Sequence, residues 1–406
     1  MKKYWKIISI VVIIVLSLGT FYVNAALSAE QYPGFVIETK SGDANEIKPL
    51  VLEGSYTDTS SMNYVSANLK ITAEGSTYKS YSFLDQLIGQ PPEMISELQD
   101  EYRNFMRGKM GSINSFFEDD QHLAYADVDY KMGSLSSSDF KLDISLLNKG
   151  DGNINEFTVK VPDSAELEYM YVDDVQMIGN ELTLITQNMI RSNDVGYDEK
   201  HIYTVNLADQ TIINHESLYQ FSQGQGNVHT NVQLIGTSPT KAYEHIILLK
   251  TEEEIIEEME SSRVEYMNQE IISYNLATKE KENIDVPELN LKENQLSFFD
   301  GSTLYFTKLE GQELVVTPYN LEDDQVGNAL SLQFPGEKDN VQVPVITVNN
   351  GKLFAVAPQM NNESDASVSV ADVNTGETLF EGKIVLKDSS QEMGRYEIYL
   401  HEIFLK

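Results

Sequence analysis

The chain has 406 residues, 41% of them apolar and 23% charged, enough apolar material for a sizeable core and too much for a disordered chain. Its 63 acidic and 29 basic side chains leave a net charge of −34, which repels phosphate and disfavours nucleic acid and anionic lipid as partners. There is no cysteine, so disulfides, thiolate catalysis, zinc–thiolate sites, iron–sulfur clusters and lipid attachment through cysteine are excluded.

Lys2, Lys3 and Lys6 precede Ile7–Val23, a stretch without a charge. Two readings of residues 1–26 stand side by side. A signal peptide would use Ile7–Leu18 as its apolar region, Gly19 as a breaker and Val23-Asn24-Ala25 as the cleavage motif. A membrane anchor would span roughly 26 Å at about 1.5 Å per residue, with Tyr4, Trp5, Phe21 and Tyr22 as interfacial belts. Either reading puts the remaining chain outside the cytoplasm, as a secreted or single-pass membrane protein with its N-terminus inside. Residues 27–44 read as a linker.

From residue 45 to 406 brief β-type runs alternate with Gly, Asn and Asp turns, as in Glu181–Gln187, Tyr243–Lys250, Thr303–Leu309 and Lys352–Pro358. Four segments align on an Asn or Asp at a strand end: Val205-Asn206-Leu207-Ala208, Tyr274-Asn275-Leu276-Ala277, Tyr319-Asn320-Leu321-Glu322 and Ala371-Asp372-Val373-Asn374. Their offsets are 69, 45 and 52 residues. Propeller blades repeat at roughly 40–50 residues with four strands each, so the expectation is a β-propeller of about seven blades, six to eight. The segment Ala371–Phe380 resembles the repeat of bacterial exported quinoprotein-like propellers, which ends its third strand in Asp, turns on Thr-Gly and enters the fourth strand with an aromatic. That family usually carries Trp where this chain has Phe380. The resemblance implies a propeller but does not imply the quinone cofactor, because the docking tryptophans are absent.

Two helical insertions are expected. Pro91-Pro92 opens one, Met94, Ile95, Leu98, Tyr102, Phe105 and Met106 form its apolar stripe, and Gly108 ends it. The other covers Thr251–Met267, with Thr251 and Glu254 as a capping box and Ile255, Ile256, Met259, Tyr266 and Met267 on one face. Leu123–Tyr130, Lys141–Leu147 and Glu156–Val161 read as strands, and Asp151–Asn155 as a polar hairpin turn. The last strand, Tyr396–Phe404, is expected to pair with the N-terminal β-region and remove an open sheet edge.

Catalytic chemistry is not written in the chain. None of the six histidines has metal-ligand spacing, no G-x-S-x-G elbow occurs, and the S-x-x-K matches at Ser76 and Ser238 lack companion motifs. No catalytic residue, metal site or cofactor is assigned. Contact with a ligand or partner is expected at Gln225 and His229, in the polar loop Gln223–His229, and at Glu253, Glu257 and Glu258, where a basic partner could dock. The expected role is an extracytoplasmic, membrane-associated propeller acting as a non-catalytic protein-interaction or ligand-binding module. The alternatives are an exported propeller enzyme acting on a polysaccharide or small molecule, and an accessory subunit of a membrane complex.

Overall fold

The computed structural model describes residues 10, 12, 14–16, 19–20, 32–60, 65–78, 91–109, 112–133, 137–192, 195–222, 228–236, 242–257, 262–334, 344–388 and 394–406. Residues 10, 12, 14–16 and 19–20 are helical, and among the described residues no helix is long and apolar enough to cross a membrane. The Val23-Asn24-Ala25 motif lies outside the described residues.

The fold is all-β. The strands are β1 (Phe35–Gly42), β2 (Leu50–Asp58), β3 (Val65–Thr72), β4 (Gly75–Tyr78), β5 (Phe116–Glu118), β6 (His122–Met132), β7 (Ser137–Asn148) and β8 (Ile154–Lys160). They continue with β9 (Leu167–Ile178), β10 (Glu181–Ser192), β11 (Val195–Asn206), β12 (Thr211–Ser222), β13 (Val228–Leu234), β14 (His245–Glu257), β15 (Ser262–Asn275) and β16 (Lys281–Ile284). Then come β17 (Gln295–Phe299), β18 (Thr303–Glu310), β19 (Glu313–Asn320), β20 (Gln325–Val326), β21 (Leu330–Gln333), β22 (Val345–Asn349), β23 (Lys352–Val356), β24 (Gln359–Asn361), β25 (Ala366–Asp372), β26 (Thr378–Leu386) and β27 (Tyr396–Leu405). Three sheets are simple four-strand antiparallel meanders, β5-β6-β7-β8, β12-β11-β10-β9 and β13-β14-β15-β16. The others run β17-β18-β19-β20 with β21 beside β19, β1-β26-β25-β23-β22 and β24-β27-β2-β3-β4.

One corner is built five times, and it explains the aligned segments. The side-chain oxygen of Asn206 accepts from the backbone N–H groups of Ala208 and Asp209, at 2.9 and 3.0 Å. Asn275, Asn320 and Asp372 do the same two and three residues on. Such Asx turns satisfy donors left over where the third strand of a sheet ends. The residue four places on takes a left-handed φ in every copy: Gln210, Lys279, Asp324 and Gly376. The residue after the Asn or Asp then donates its N–H back to the previous hairpin, Leu207 to Asn180, Leu276 to Glu244, Leu321 to Ser302 and Val373 to Gly351. Asn148 is a fifth copy that the alignment lacked, with Gly150 and Asp151 on its oxygen, Gly152 at φ 70° and Lys149 donating to Gln121. The Asp151–Asn155 segment is therefore the expected hairpin turn.

Contacts divide the chain into two units, Met1–Gln90 with Phe306–Pro318 and Gly327–Lys406, and Pro91–Tyr305 with Tyr319–Val326. The first unit joins the two ends of the chain. β27 pairs antiparallel with β2 from Leu50↔Leu405 to Asp58↔Tyr396, so the last strand meets the N-terminal β-region as its pattern indicates. Its core holds Phe35, Leu52, Phe354, Phe380, Ile398 and Leu400, each worth roughly 1.5–3 kcal/mol of burial. The expected linker 27–44 is corrected here. Its second part is β1, paired with β26 from Phe35↔Leu386 to Gly42↔Phe380, followed by a 3-10 turn at Ala44–Ile47. Fully buried Phe35 holds it down, and at Gly42, with φ 85°, a Cβ would lie 2.1 Å from the Leu379 carbonyl oxygen.

In the second unit the helix expected over 91–108 is shorter, α1 (Glu93–Glu101), because Tyr102 leaves helical geometry at φ −117° and ψ 47°. Its apolar stripe still packs as one cluster, Ile95, Leu98, Phe105 and Met106 against Phe116, Leu123 and Tyr125. The second helical insertion is overturned. Residues 251–257 continue β14 and 262–267 belong to β15, in register from His245↔Asn275 to Glu257↔Ser262. A helix would have set Glu253 against Glu257 at i,i+4. Along β14, Glu253 lies on the opposite face from Glu252 and Glu254, and β-branched Ile255, Ile256 and Val264 suit strands. The long 69-residue spacing is a hairpin extension of the blade-like sheet.

Candidate functional site

The β9–β12 sheet carries the chemistry, because alternation along β11 sends different polar sets to its two faces. Tyr197, Glu199, His201 and Tyr203 share one face, Asp198 and Lys200 the other. Below these polar ends the same strands are apolar. Leu182, Leu184, Tyr203 and Val205 pack with Phe140, Leu142 and Ile144, and Ile185 and Ile202 pack with Val232, Ile246 and Leu248. Both faces thus pack against neighbouring sheets.

The first face lines a pocket of about 260 Å³ with Asp163, Asn188, Glu199, His201, Tyr203 and His215 on its wall. Glu199 is buried. His201 Nδ1 hydrogen-bonds one of its carboxylate oxygens, and Gln220 Nε2 donates to the other at 2.6 Å. Burial pushes the Glu199 carboxyl up, but the bonds from His201 and Gln220 outweigh it and hold the group below the usual carboxylate range. The His201 ring stacks on Tyr203 at 4.5 Å and on His215 at 5.7 Å. Asn188 Nδ2 donates to the Tyr203 hydroxyl at 3.3 Å, and the Thr186 hydroxyl donates to Asn188 at 2.9 Å. Burial pushes the Tyr203 phenol well above its usual value. A carboxylate-oriented histidine is the arrangement general acid–base catalysis uses, but His201 Nε2 is itself buried, with no partner among the described residues. With that nitrogen covered, the network reads as a polar brace along the pocket wall.

The second face opens into a cleft of about 630 Å³, walled by β9, β10 and β11 on one side and by Asn231–Leu234 of β13 on the other. That volume falls in the roughly 300–1,000 Å³ range of small-ligand sites. Tyr169 and Tyr171 stand two apart on β9 and are 45% and 43% exposed, their ring centroids 5.8 Å apart at 49°. Asp173 hydrogen-bonds Lys200, and both are mostly buried, so their charges cancel. Burial pushes the Tyr171 phenol up, helped by Asp173. Gln187, on the same face of β10 as Ile185, adds a carboxamide to the lining, while Val232 and Leu234 turn apolar side chains toward the β9–β12 sheet and Asn231 and Gln233 alternate to the other face of β13.

The residues expected from sequence fall elsewhere. His229 lies in β13, not in a loop, and sits opposite Glu253 across the β13–β14 ladder. Gln225 and Glu258 lie outside the described residues, and Glu257 is placed by its backbone alone, opposite Ser262. The cleft was missed, although Tyr169, Tyr171 and Asp173 at alternate positions of a strand carry a readable signal: two large aromatics and an acid on one face. Among the described residues no group of three or more His, Asp or Glu could hold a metal ion.

No family model and no curated protein matches the sequence. Solved structures do match its course. TolB from Acinetobacter baumannii is 11% identical with a TM-score of 0.30, over 86% of this chain and 65% of that one, so this chain spans less than two thirds of the TolB chain. A Synechocystis apocarotenoid oxygenase variant is 10% identical with a TM-score of 0.44, over 92% and 95%. A putative 6-phosphogluconolactonase from Bacteroides fragilis is 10% identical with a TM-score of 0.26, over 85% and 98%. TM-scores below 0.5 decide neither the activity nor the ligand.

Proposed function

We propose that this chain is an extracytoplasmic β-propeller, its sheets the blades, that serves as a non-catalytic ligand-binding module through the cleft beside Tyr169 and Tyr171. The observation that carries it is the pair of half-open tyrosines set in a preformed cleft on a sheet packed on both faces. The five equivalent corners support the propeller architecture. The charge-free segment Ile7–Val23 supports export, either as an anchor or as a cleaved signal. The body is then reached from outside, and protease added to intact, wall-stripped cells digests it; full protection refutes this address.

The binding role is tested by thermal shift against a mixed library of sugars, amines, nucleosides and short peptides. Compounds that raise the melting temperature of the native chain, and fail to do so in Tyr171→Ala, are expected. A library in which no class separates the two proteins refutes the reading. An exported enzyme is the second reading, resting on the Glu199–His201 contact. It requires His201 Nε2 to be uncovered on substrate binding, which a substrate-dependent activity abolished by His201→Ala would establish.

A further inference from the structure

Three properties of the cleft narrow its occupant. The first is aromatic. Tyr169 and Tyr171 leave the same face of β9 with nearly half of each side chain open. Half-open rings inside a concavity gain most from a ligand that lays C–H groups against them.

The second is polar. The side chain of Gln187, on the cleft wall, makes no hydrogen bond among the described residues. Its carboxamide presents donors and an acceptor on one plane, which suits a hydroxyl that both donates and accepts. The third is charge. The Asp173–Lys200 pair is internally neutral, leaving Asp198 as the one further titratable acid on the wall. The chain's −34 charge opposes phosphate, sulfate and carboxylate ligands. One carboxylate is a weak recognition set for a polycation.

We infer that this cleft binds a neutral oligosaccharide, with sugar C–H faces on Tyr169 and Tyr171 and a hydroxyl on Gln187. The inference rests on the binding-module reading and names its ligand class. The planar rings supply area at low entropy cost, and the Gln187 carboxamide fixes orientation. An uncharged ligand also avoids desolvating an ion in the cleft.

The test is calorimetric titration of the full-length chain, held in a detergent without a sugar headgroup. Cellotriose, chitotriose, xylotriose and maltotriose are the probes, with spermidine and glucose 6-phosphate as charged comparators. Saturable binding of at least one neutral trisaccharide is expected. Tyr169→Ala and Tyr171→Ala each weaken it by about tenfold or more, while Tyr171→Phe, which keeps the ring, stays within about threefold. Thermal melts of the four proteins check that folding is intact. Absence of saturable binding at millimolar sugar overturns the inference, and so does binding that survives both alanine variants. Spermidine or glucose 6-phosphate binding lost with Tyr171→Ala overturns the sugar assignment while leaving the binding module standing. A cleft that neither these probes nor the mixed library occupies ends both.

Discussion

The closing strand offers a sharp test, because one residue step changes the expected outcome. Ile398 is 1% exposed in the first unit's core, opposite Tyr56 on β2 and Met360 on β24. Its neighbour Tyr399 points to the other face and is 47% exposed. Ile398→Ala deletes three carbons, about 2.4 kcal/mol at roughly 0.8 per methylene, and the cavity left behind brings the cost to about 3–4 kcal/mol. At about 2–4 °C per kcal/mol for a unit of this size, melting falls by roughly 6–16 °C. Tyr399→Ala removes a larger side chain and costs about 1 kcal/mol at most, from lost cross-strand contact with Ser55 and Gln359. The assay is calorimetry of the two variants beside the native chain. Equal losses, or the larger loss in Tyr399→Ala, would show that β27 is paired in another register or does not close the unit, since a one-residue slip exchanges the two faces.

Glu402 sits opposite Glu53 in the same ladder. Burial, and then Glu53, hold its carboxyl above the usual range, so its contribution is lost as pH rises through that raised value. Glu402→Gln is expected to raise the melting temperature at pH 7 and to make no difference near pH 3; a lower melting temperature at pH 7 contradicts the repulsion. Glu199 has the opposite sign. Its depressed value contributes stability above the ordinary carboxylate pKa of about 4.3, lost as pH falls through the folded one. Glu199→Gln should cost about 1–3 kcal/mol at pH 7 and flatten the acid limb of a stability–pH curve; an unchanged limb places the acid sensitivity elsewhere. Lys250 is 9% exposed, 2.8 Å from Glu252 and 3.1 Å from Glu270. Burial lowers its pKa, but these partners and Tyr219 outweigh that and raise it. Lys250→Met is expected to destabilise by about 1–3 kcal/mol in denaturant titration, with part recovered by adding Glu270→Gln, since removing the cation leaves two carboxylates side by side. No recovery would show that Lys250 acts through packing alone.

Much of the fold was legible because it is local. Short β-type runs bounded by Gly, Asn and Asp turns marked the strands of the β9–β12 and β22–β26 sheets, and an Asn or Asp at a strand end marked the corners. The Asx turn needs only that side chain and the next three N–H groups, so it reads directly from sequence. Even the copy at Asn148 has a signal, Gly152 four residues on in the left-handed position. The helix over 91–108 was half right for a related reason. Its apolar stripe specified a buried face, and that face is buried, but burial does not require the last turn to stay helical.

The errors arose where distant chain decides the outcome. Thr251–Met267 satisfies a helix pattern in isolation, yet β13 pairs with residues up to Glu254 and β15 with residues 251–257, and the ladder outcompetes a helix with repelling glutamates. Residues 35–42 carry no clean alternation because β26, more than three hundred residues away, supplies their pairing. His229 follows a Gly- and Gln-rich run that reads as a loop, and it lies in a ladder for the same reason.

By itself the sequence determined the acidic, cysteine-free character, the charge-free stretch Ile7–Val23, the all-β class and the repeated corner, since each depends on composition or on residues near one another in the chain. The tertiary structure alone decided which strands pair across the chain, that Glu199 and His201 close on each other in a buried brace, and that Tyr169 and Tyr171 face β13 across an open cleft. Those outcomes depend on which surfaces of separate sheets meet, and strand alternation specifies two faces without specifying what either face will touch.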